Sequence, residues 1–262
     1  MPATDSGWLI TPEELASWIL CESDDLLLLN KPPHVVCHPS RYGPWSSLIG
    51  ACREHLGVET LHMPFRLDRE TSGVMIFARN RETASRLQRA VTDKRFRKTY
   101  HAIVCGYLDK AVTVTGALGR DEQAEFYSRR AVVNEGGQAA ETEFVPLVSG
   151  GGYTLVEVHP RTGRRHQIRV HASSIGLPLL GDKLYGPDPS LMIEFMRQGF
   201  TSNLADHLPL SRHALHCSRV EFSTENGIEE FAAPPPMDIL EFAETRMGLH
   251  NVDWNSHAAI TG

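Results

Sequence analysis

The chain has 262 residues and 41% apolar side chains, enough to bury a substantial core in one or two domains and too many for a wholly disordered polymer. Its 26 Lys and Arg against 32 Asp and Glu give a formal charge of -6, no run of about 18 apolar residues suggests a membrane span, and MPATDSGWLI does not read as a secretory signal. The five cysteines, at 21, 37, 52, 105 and 217, form no close pair and no metal-ligand cluster, which fits reduced, mostly buried thiols in the cytoplasm.

Residues 11–20, TPEELASWIL, predict a short helix: Thr11 can cap it, Pro12 suits the first helical position, and Glu14 sits three after the cap. LLLLN at 26–30 is a short apolar strand ended by the turn-prone KPPH. The stretch from about Ser46 to Leu56 predicts a helix ending at Gly57, and VMIFARN at 74–80 a strand. Residues 81–92 predict a helix with Leu87, Ala90 and Val91 on one face and Arg81, Arg86 and Arg89 near solvent. Strand-like runs follow at 99–107, 112–118, 142–148 and 153–159, with GG at 136–137 and GGG at 150–152 as turns. Within PRTGRRHQIRVHASSIGLP, Ile168, Ala172 and Ile175 recur at spacings of four and three, a helix that Gly176 and Pro178 end. A further strand lies in RHALHCSRVEF at 212–222, and PPP at 234–236 leads into a weakly helical MDILEFAETRMG. Many strands with few helices between them argue for an α+β fold rather than a doubly wound sheet.

Charge is unevenly spread. Residues 1–30 carry -6 and residues 221–262 carry -7, leaving +7 for residues 31–220. Residues 79–98 hold eight Lys or Arg against Glu82 and Asp93, and residues 159–171 hold Arg161, Arg164, Arg165 and Arg169 with three histidines and no acid. Such local basic fields attract a polyanion even when the whole chain is acidic; their bland alternative is a solvated surface.

The densest polar cluster in an apolar frame is PFRLDRETSGVMIFARN at 64–80. Asp68 is bracketed there by Arg66 and Arg69, and Thr71, Ser72 and Gly73 make a tight polar turn. A carboxylate among arginines stays ionised and can act as a nucleophile; it can equally serve only to order a turn. The second cluster is GRRHQIRVH at 163–171. Arg164 and Arg165 near a helix start place donors where phosphates also meet backbone N–H groups, and His166 and Arg169 lie three apart on that helix. The histidines form no HExxH or Cys/His array, so no metal site is expected, and no phosphate loop of the GxxxxGK[ST] or GxGxxG kind is present.

Four pieces, NKPPHVVCHPS, RLDRETSG, KTYHAIVCG and GRRHQIRVHASSIGLPLLGDKLYG, occur in an order that closely resembles the RluA-like branch of the RNA pseudouridine synthases, over roughly residues 24–236. The resemblance implies a mostly antiparallel, curved sheet flanked by helices around a central cleft. It implies conversion of an RNA uridine to its C-glycoside isomer without cofactor or metal. Asp68 would be the nucleophile, Tyr100 would stack on the uracil and handle the proton at C5, and Arg169 would pair with Asp68 and hold it charged. Arg66 would fill the space left by the flipped nucleotide, Leu215 would lie beneath the base, and Lys31 and Pro32 would support the fold. Arg164, Arg165 and His166 would bind the RNA.

The chain departs from the family pattern where Phe65 replaces the usual His before RLD, and where His34 replaces a Gly often found after KPP. An N-terminal S4-type domain, common in relatives, is not expected in the 23 residues before the match, which carry four acids and no Lys or Arg. The expected organisation is a short acidic extension (1–23), a catalytic domain divisible into two lobes (24–245) and a flexible tail (246–262). The segment 187–209 is a candidate insertion, with Phe195, Met196 and Phe200 expected in the core. The expected partner is structured RNA, ribosomal or transfer, bound by a monomer with no obligate protein partner and no membrane. A non-catalytic RNA-binding module would have lost Asp68, Tyr100 or Arg169, and a glycosidase usually wants a second carboxylate opposite the first.

Overall fold

The computed structural model describes residues 3–4, 7–38, 42–124, 128–224, 227–250 and 254. In chain order come β1 (Ala3–Thr4), β2 (Gly7–Trp8), α1 (Pro12–Trp18), β3 (Ile19–Glu22), β4 (Leu26–Lys31), α2 (Leu48–Leu56), β5 (Ser72–Ala78), α3 (Arg81–Thr92) and β6 (Phe96–Cys105). Then follow β7 (Val112–Arg120), β8 (Arg130–Val133), β9 (Gln138–Gly150), β10 (Tyr153–Pro160), α4 (Gln167–Ser174), α5 (Ser190–Gln198), α6 (Ser202–His207), β11 (Leu215–Thr224), β12 (Gly227–Ala232) and α7 (Met237–Met247). This is an α+β fold whose described strand pairs are antiparallel. It divides into two compact units, residues 1–98 with 217–234 and residues 99–216 with 235–262. The chain passes between them inside β6 and returns inside β11.

In the first unit the strand order is β3-β4-β5-β11, with β12 also on β11. β4 and β5 run from Leu26 opposite Ala78 to Lys31 opposite Gly73. Nearly every residue of both strands is buried, so each reads as a continuous apolar run rather than an alternating one. The capping box on α1 forms as the sequence predicts: Thr11 accepts from the Glu14 N–H, and the Glu14 carboxylate accepts from the Thr11 N–H. The helix stops at Trp18 instead of residue 20, because Ile19 turns extended and Ile19–Glu22 pairs with β4. Ser47 caps α2, and Gly57 closes it with φ 65°. On α3 the buried stripe is Thr83, Leu87 and Ala90, at spacings of four and three; Val91 is only half-buried.

In the second unit the order is β6-β10-β9-β7-β8. β9 and β10 lose register between Leu155 and Val156, where Pro146 of β9, which cannot donate to a ladder, is accommodated opposite Val156. One face buries Ile103 and Leu155 against Ile239, Phe242, Ala243 and Met247 of α7 and against Trp254. The other packs Leu118 and Ala140 on Val170 of α4, with Leu184 and Tyr185. The tail expected over 246–262 falls mostly outside the described residues; within it Met247 and Trp254 are buried in the α7 core.

Residues 187–209 form α5 and α6 around Leu191, Leu204 and Leu208. The expectation of three core aromatics and methionines there is corrected. Phe195 is partly buried against that cluster, but Met196 is 62% exposed and Phe200 42% exposed. Phe195 lies one turn from Leu191 on the same helical face, and Met196 is turned about 100° from it.

Candidate active site

In the first unit, Asp68 sits half-buried in the connection that leads into β5. Its backbone is held on both sides. The Asp68 carbonyl accepts the Thr71 N–H at 3.1 Å and closes the turn. The buried Cys37 thiol donates to the Leu67 carbonyl at 3.3 Å. The Lys31 ammonium, fully buried at the end of β4, donates to the carbonyls of Pro32 (2.8 Å) and Arg69 (3.1 Å). Burial of a charge is tolerated only when its donors are satisfied, so Lys31 binds the KPP segment firmly to the Asp68 turn. Gly73 has φ 117°, and a Cβ there would stand 2.2 Å from the Cys217 carbonyl oxygen. Only glycine lets β5 start this close to β11.

Burial pushes the Cys37 thiol up, so it stays a neutral donor; Lys31, Asp68 and Arg66 also act electrostatically on it. The exposed Arg66 guanidinium hydrogen-bonds the His38 imidazole at Nε2. Burial, and then Arg66, push His38 down, which keeps that nitrogen an acceptor. Phe65 packs its ring on Phe96 at 5.4 Å, with the Lys98 ammonium 5.2 Å from its centroid. Apolar contact has thus replaced the imidazole of the family pattern. His34 has φ 69°, the backbone region that explains why glycine suits this position.

Beside the same connection, His62, Met63 and Pro64 face Arg81, Ala84, Ser85 and Gln88 of α3 across an open groove of about 570 Å³. The His62–Ala78 bridge to β5 holds this segment, which runs straight on to Arg66 and Asp68.

In the second unit, Tyr100 is 5% exposed and stands opposite Val158, which stands opposite Phe144. The alternation of side chains puts this row on the α4 side of the sheet, with Thr142, while His101 turns to Trp254 on the α7 side. α4 is bolted to that face by Gln167. Its Nε2 donates to the Glu141 carbonyl (2.8 Å) and Thr142 Oγ1 (2.9 Å), and its Oε1 accepts from Thr162 Oγ1 (2.6 Å) and the Arg164 N–H (3.0 Å).

Arg169 is 8% exposed on α4, and its fork meets a residue that the sequence pattern did not single out. Nε and Nη2 donate to the two oxygens of Asp182 at 2.7 and 2.9 Å. Burial alone would push the Asp182 carboxyl up. The Arg169 charge and hydrogen bonds, with His213 and the Tyr185 N–H, more than offset that and hold it at about 2. His166 lies outside the helix, as its left-handed N-cap with φ 57°, and its Nδ1 is 2.8 Å from the Tyr185 hydroxyl. Arg164 and Arg165 are exposed, and Arg164 Nε reaches the Ala139 carbonyl at 3.4 Å. Leu215 is buried at the start of β11. The fully buried Arg212, also unforeseen, pairs with Asp238 at 2.7 and 2.8 Å and donates to the His213 and Leu215 carbonyls. Asp182 lies in the GDKLYG stretch; the signal for it was an acid just after a glycine, thirteen residues beyond a helical arginine.

Comparison with known proteins follows the same residues. The family model described as RNA pseudouridylate synthase matches residues 25–174. The chain is 34% identical over 247 residues to the uncharacterized RNA pseudouridine synthase YhcT of Bacillus subtilis (strain 168), covering 90% of this chain and 74% of that protein. It is 30% identical over 250 residues to the ribosomal large subunit pseudouridine synthase D of Pasteurella multocida (strain Pm70), covering 92% of this chain and 74% of that one. The solved structure of human RNA pseudouridylate synthase domain containing 1 superposes with a TM-score of 0.65 at 25% identity, over 90% of this chain and 86% of that one.

Proposed function

The chain belongs to the RNA pseudouridylate synthase family, and from that premise we propose that it isomerises uridine in structured RNA, ribosomal or transfer, with Asp68 as the nucleophile. The observation that carries the assignment of Asp68 is the way Lys31, Cys37 and the Thr71 turn clamp the backbone on both sides of it. A reacting carboxylate has to be aimed, and a held backbone aims it.

In this reading the target nucleotide leaves its stack to meet Asp68. The N1–C1′ bond breaks, the uracil turns, and C5 bonds to C1′. The C5 proton leaves and N1 gains one. Tyr100 stacks on the uracil and handles the C5 proton, Leu215 supplies an apolar floor, and Arg169 keeps Asp68 ionised. Arg66 takes the space the nucleotide vacates. The exposed Arg164 and Arg165, together with His166 and the basic α3 segment, follow the RNA phosphates. The groove between His62–Pro64 and α3 receives the strand beside the target, an apolar wall meeting a base and Arg81 a phosphate. The free cysteines support work in a reducing compartment, the cytoplasm, and the reading takes the protein as a monomer.

The test is pseudouridine formation on RNA from a strain lacking the gene. Wild-type protein should restore the missing site or sites, and their position names the RNA. Asp68→Asn should bind that RNA with an affinity within about twofold of wild type and form no product, a loss of at least about a thousandfold. Unchanged product formation by that variant, or release of free uracil by the wild type, would overturn the reading.

A further inference from the structure

Arg169 is held in its plane by Asp182. A bidentate carboxylate fixes where the guanidinium fork lies, but it leaves the planar group free to tilt about the line joining the pair. The second unit supplies the missing constraint. The Tyr185 ring lies under the guanidinium, with its centroid 4.9 Å from Arg169 Cζ. That residue is itself locked at both ends. Its backbone N–H donates to Asp182 Oδ1 at 3.0 Å, so the residue that faces the arginine also fastens the arginine's partner. Its hydroxyl accepts the Arg130 N–H at 2.9 Å and is 2.8 Å from His166 Nδ1.

The loop that carries Asp182 and Tyr185 has no slack. Gly181 has φ 73°, and a Cβ on it would stand 2.2 Å from the Arg212 carbonyl oxygen. Gly186 donates its N–H to the Asp182 carbonyl at 2.9 Å, and a Cβ there would stand 2.4 Å from that oxygen. Arg130 begins β8, and Arg129 just before it places its own guanidinium 5.6 Å from the same ring while pairing with Asp121 at 3.2 Å. The loop end of the β7–β8 hairpin and the N-cap of α4 therefore meet on one tyrosine, and that tyrosine faces Arg169.

We propose that Tyr185 is a positioning residue for Arg169: its ring sets the tilt of the guanidinium, and its hydroxyl ties that setting to the loop end of the β7–β8 hairpin. The inference rests on the reading that Arg169 serves the Asp68 chemistry, and it adds a residue to which that reading gives no role.

The experiment is a double-mutant cycle on the full chain, with pseudouridine formation followed across pH on saturating and subsaturating RNA. Tyr185→Leu removes ring and hydroxyl; Tyr185→Phe removes the hydroxyl alone. Tyr185→Leu should lower kcat about tenfold and leave KM within about twofold, and its acid limb should move to higher pH as Asp68 loses a well-placed positive neighbour. Tyr185→Phe should cost about two- to threefold in kcat. In an Arg169→Lys background both substitutions should lose most of their effect, because the planar group they orient is gone.

A full, additive loss in that background would show that Tyr185 acts independently of Arg169 and would overturn the proposal. So would a lowered rate with an unmoved acid limb in Tyr185→Leu, the pattern of a purely structural residue. If Tyr185→Leu fails to fold, the Phe variant decides by the same two-background comparison. Asp68→Asn is run alongside: full activity there defeats the reading of Asp68, whatever Tyr185 does.

Discussion

Asp182 fixes Arg169 from a position outside the proposed catalytic set. It is 2% exposed and accepts two hydrogen bonds from Arg169 and one each from the Leu184 and Tyr185 N–H groups. A buried ion pair adds little over an apolar pair, but breaking one strands a charge. Asp182→Ala should therefore destabilise the protein by about 3–5 kcal/mol in urea unfolding, because Arg169 keeps its charge and loses its partner. A loss under about 1 kcal/mol would mean that water reaches the guanidinium. Lys31 is the same device in the first unit, with backbone carbonyls in place of a carboxylate. The loop it holds is the one that carries Asp68.

At the scale of elements, α3 separates its tasks by face. Thr83, Leu87 and Ala90 are buried, while Arg81 and Arg89 are exposed and Arg86 is half-buried. The helix thus carries an apolar packing face and a basic outer face at once. Arg81, Arg86 and Arg89 changed together to Gln should leave unfolding within about 1 kcal/mol of wild type and weaken RNA binding. The slope of log affinity against log salt should flatten by about 0.7–0.9 for each phosphate these side chains no longer neutralise. An unchanged slope would assign these arginines to solvent alone. α5 follows the same geometry without the row of arginines: one turn from Leu191 keeps Phe195 against the small core and leaves Met196 outside.

At the scale of the molecule, stability should respond to pH in two windows. Burial pushes His38 and His171 down, so both stay neutral when folded, and the unfolded chain takes up protons first as pH falls below about 6.5. Stability is lost in that direction. Asp182 is held at about 2, below its ordinary 3.8, so its contribution is present above about pH 4 and fades as pH falls toward 2. The step is worth about 2 kcal/mol. Urea midpoints measured from pH 8 to 2 should show both declines. His171→Asn should reduce the upper one and Asp182→Asn should reduce the lower one; an unaltered lower decline in Asp182→Asn would refute its contribution.

Much of the fold is legible in the sequence alone. Helix caps at Thr11 and Gly57, the apolar strands β4 and β5, the turns at 136–137 and 150–152, and the order of motifs around Asp68 and Arg169 depend on neighbours along the chain. Such short-range preferences act wherever the segment lies. β8 and β12 leave no mark in the sequence because neither shows a run of buried residues; each is defined by the strand it pairs with. The Cys37–Leu67 and Lys31–Arg69 bonds join residues 30 and 38 positions apart, and the Arg169–Asp182–Tyr185 group draws its members from a helix and a loop. Local pattern names residue types able to make such contacts. Which of them meet is decided by how strands register and where the chain returns, because a hydrogen bond depends on ångströms that only the packed fold supplies.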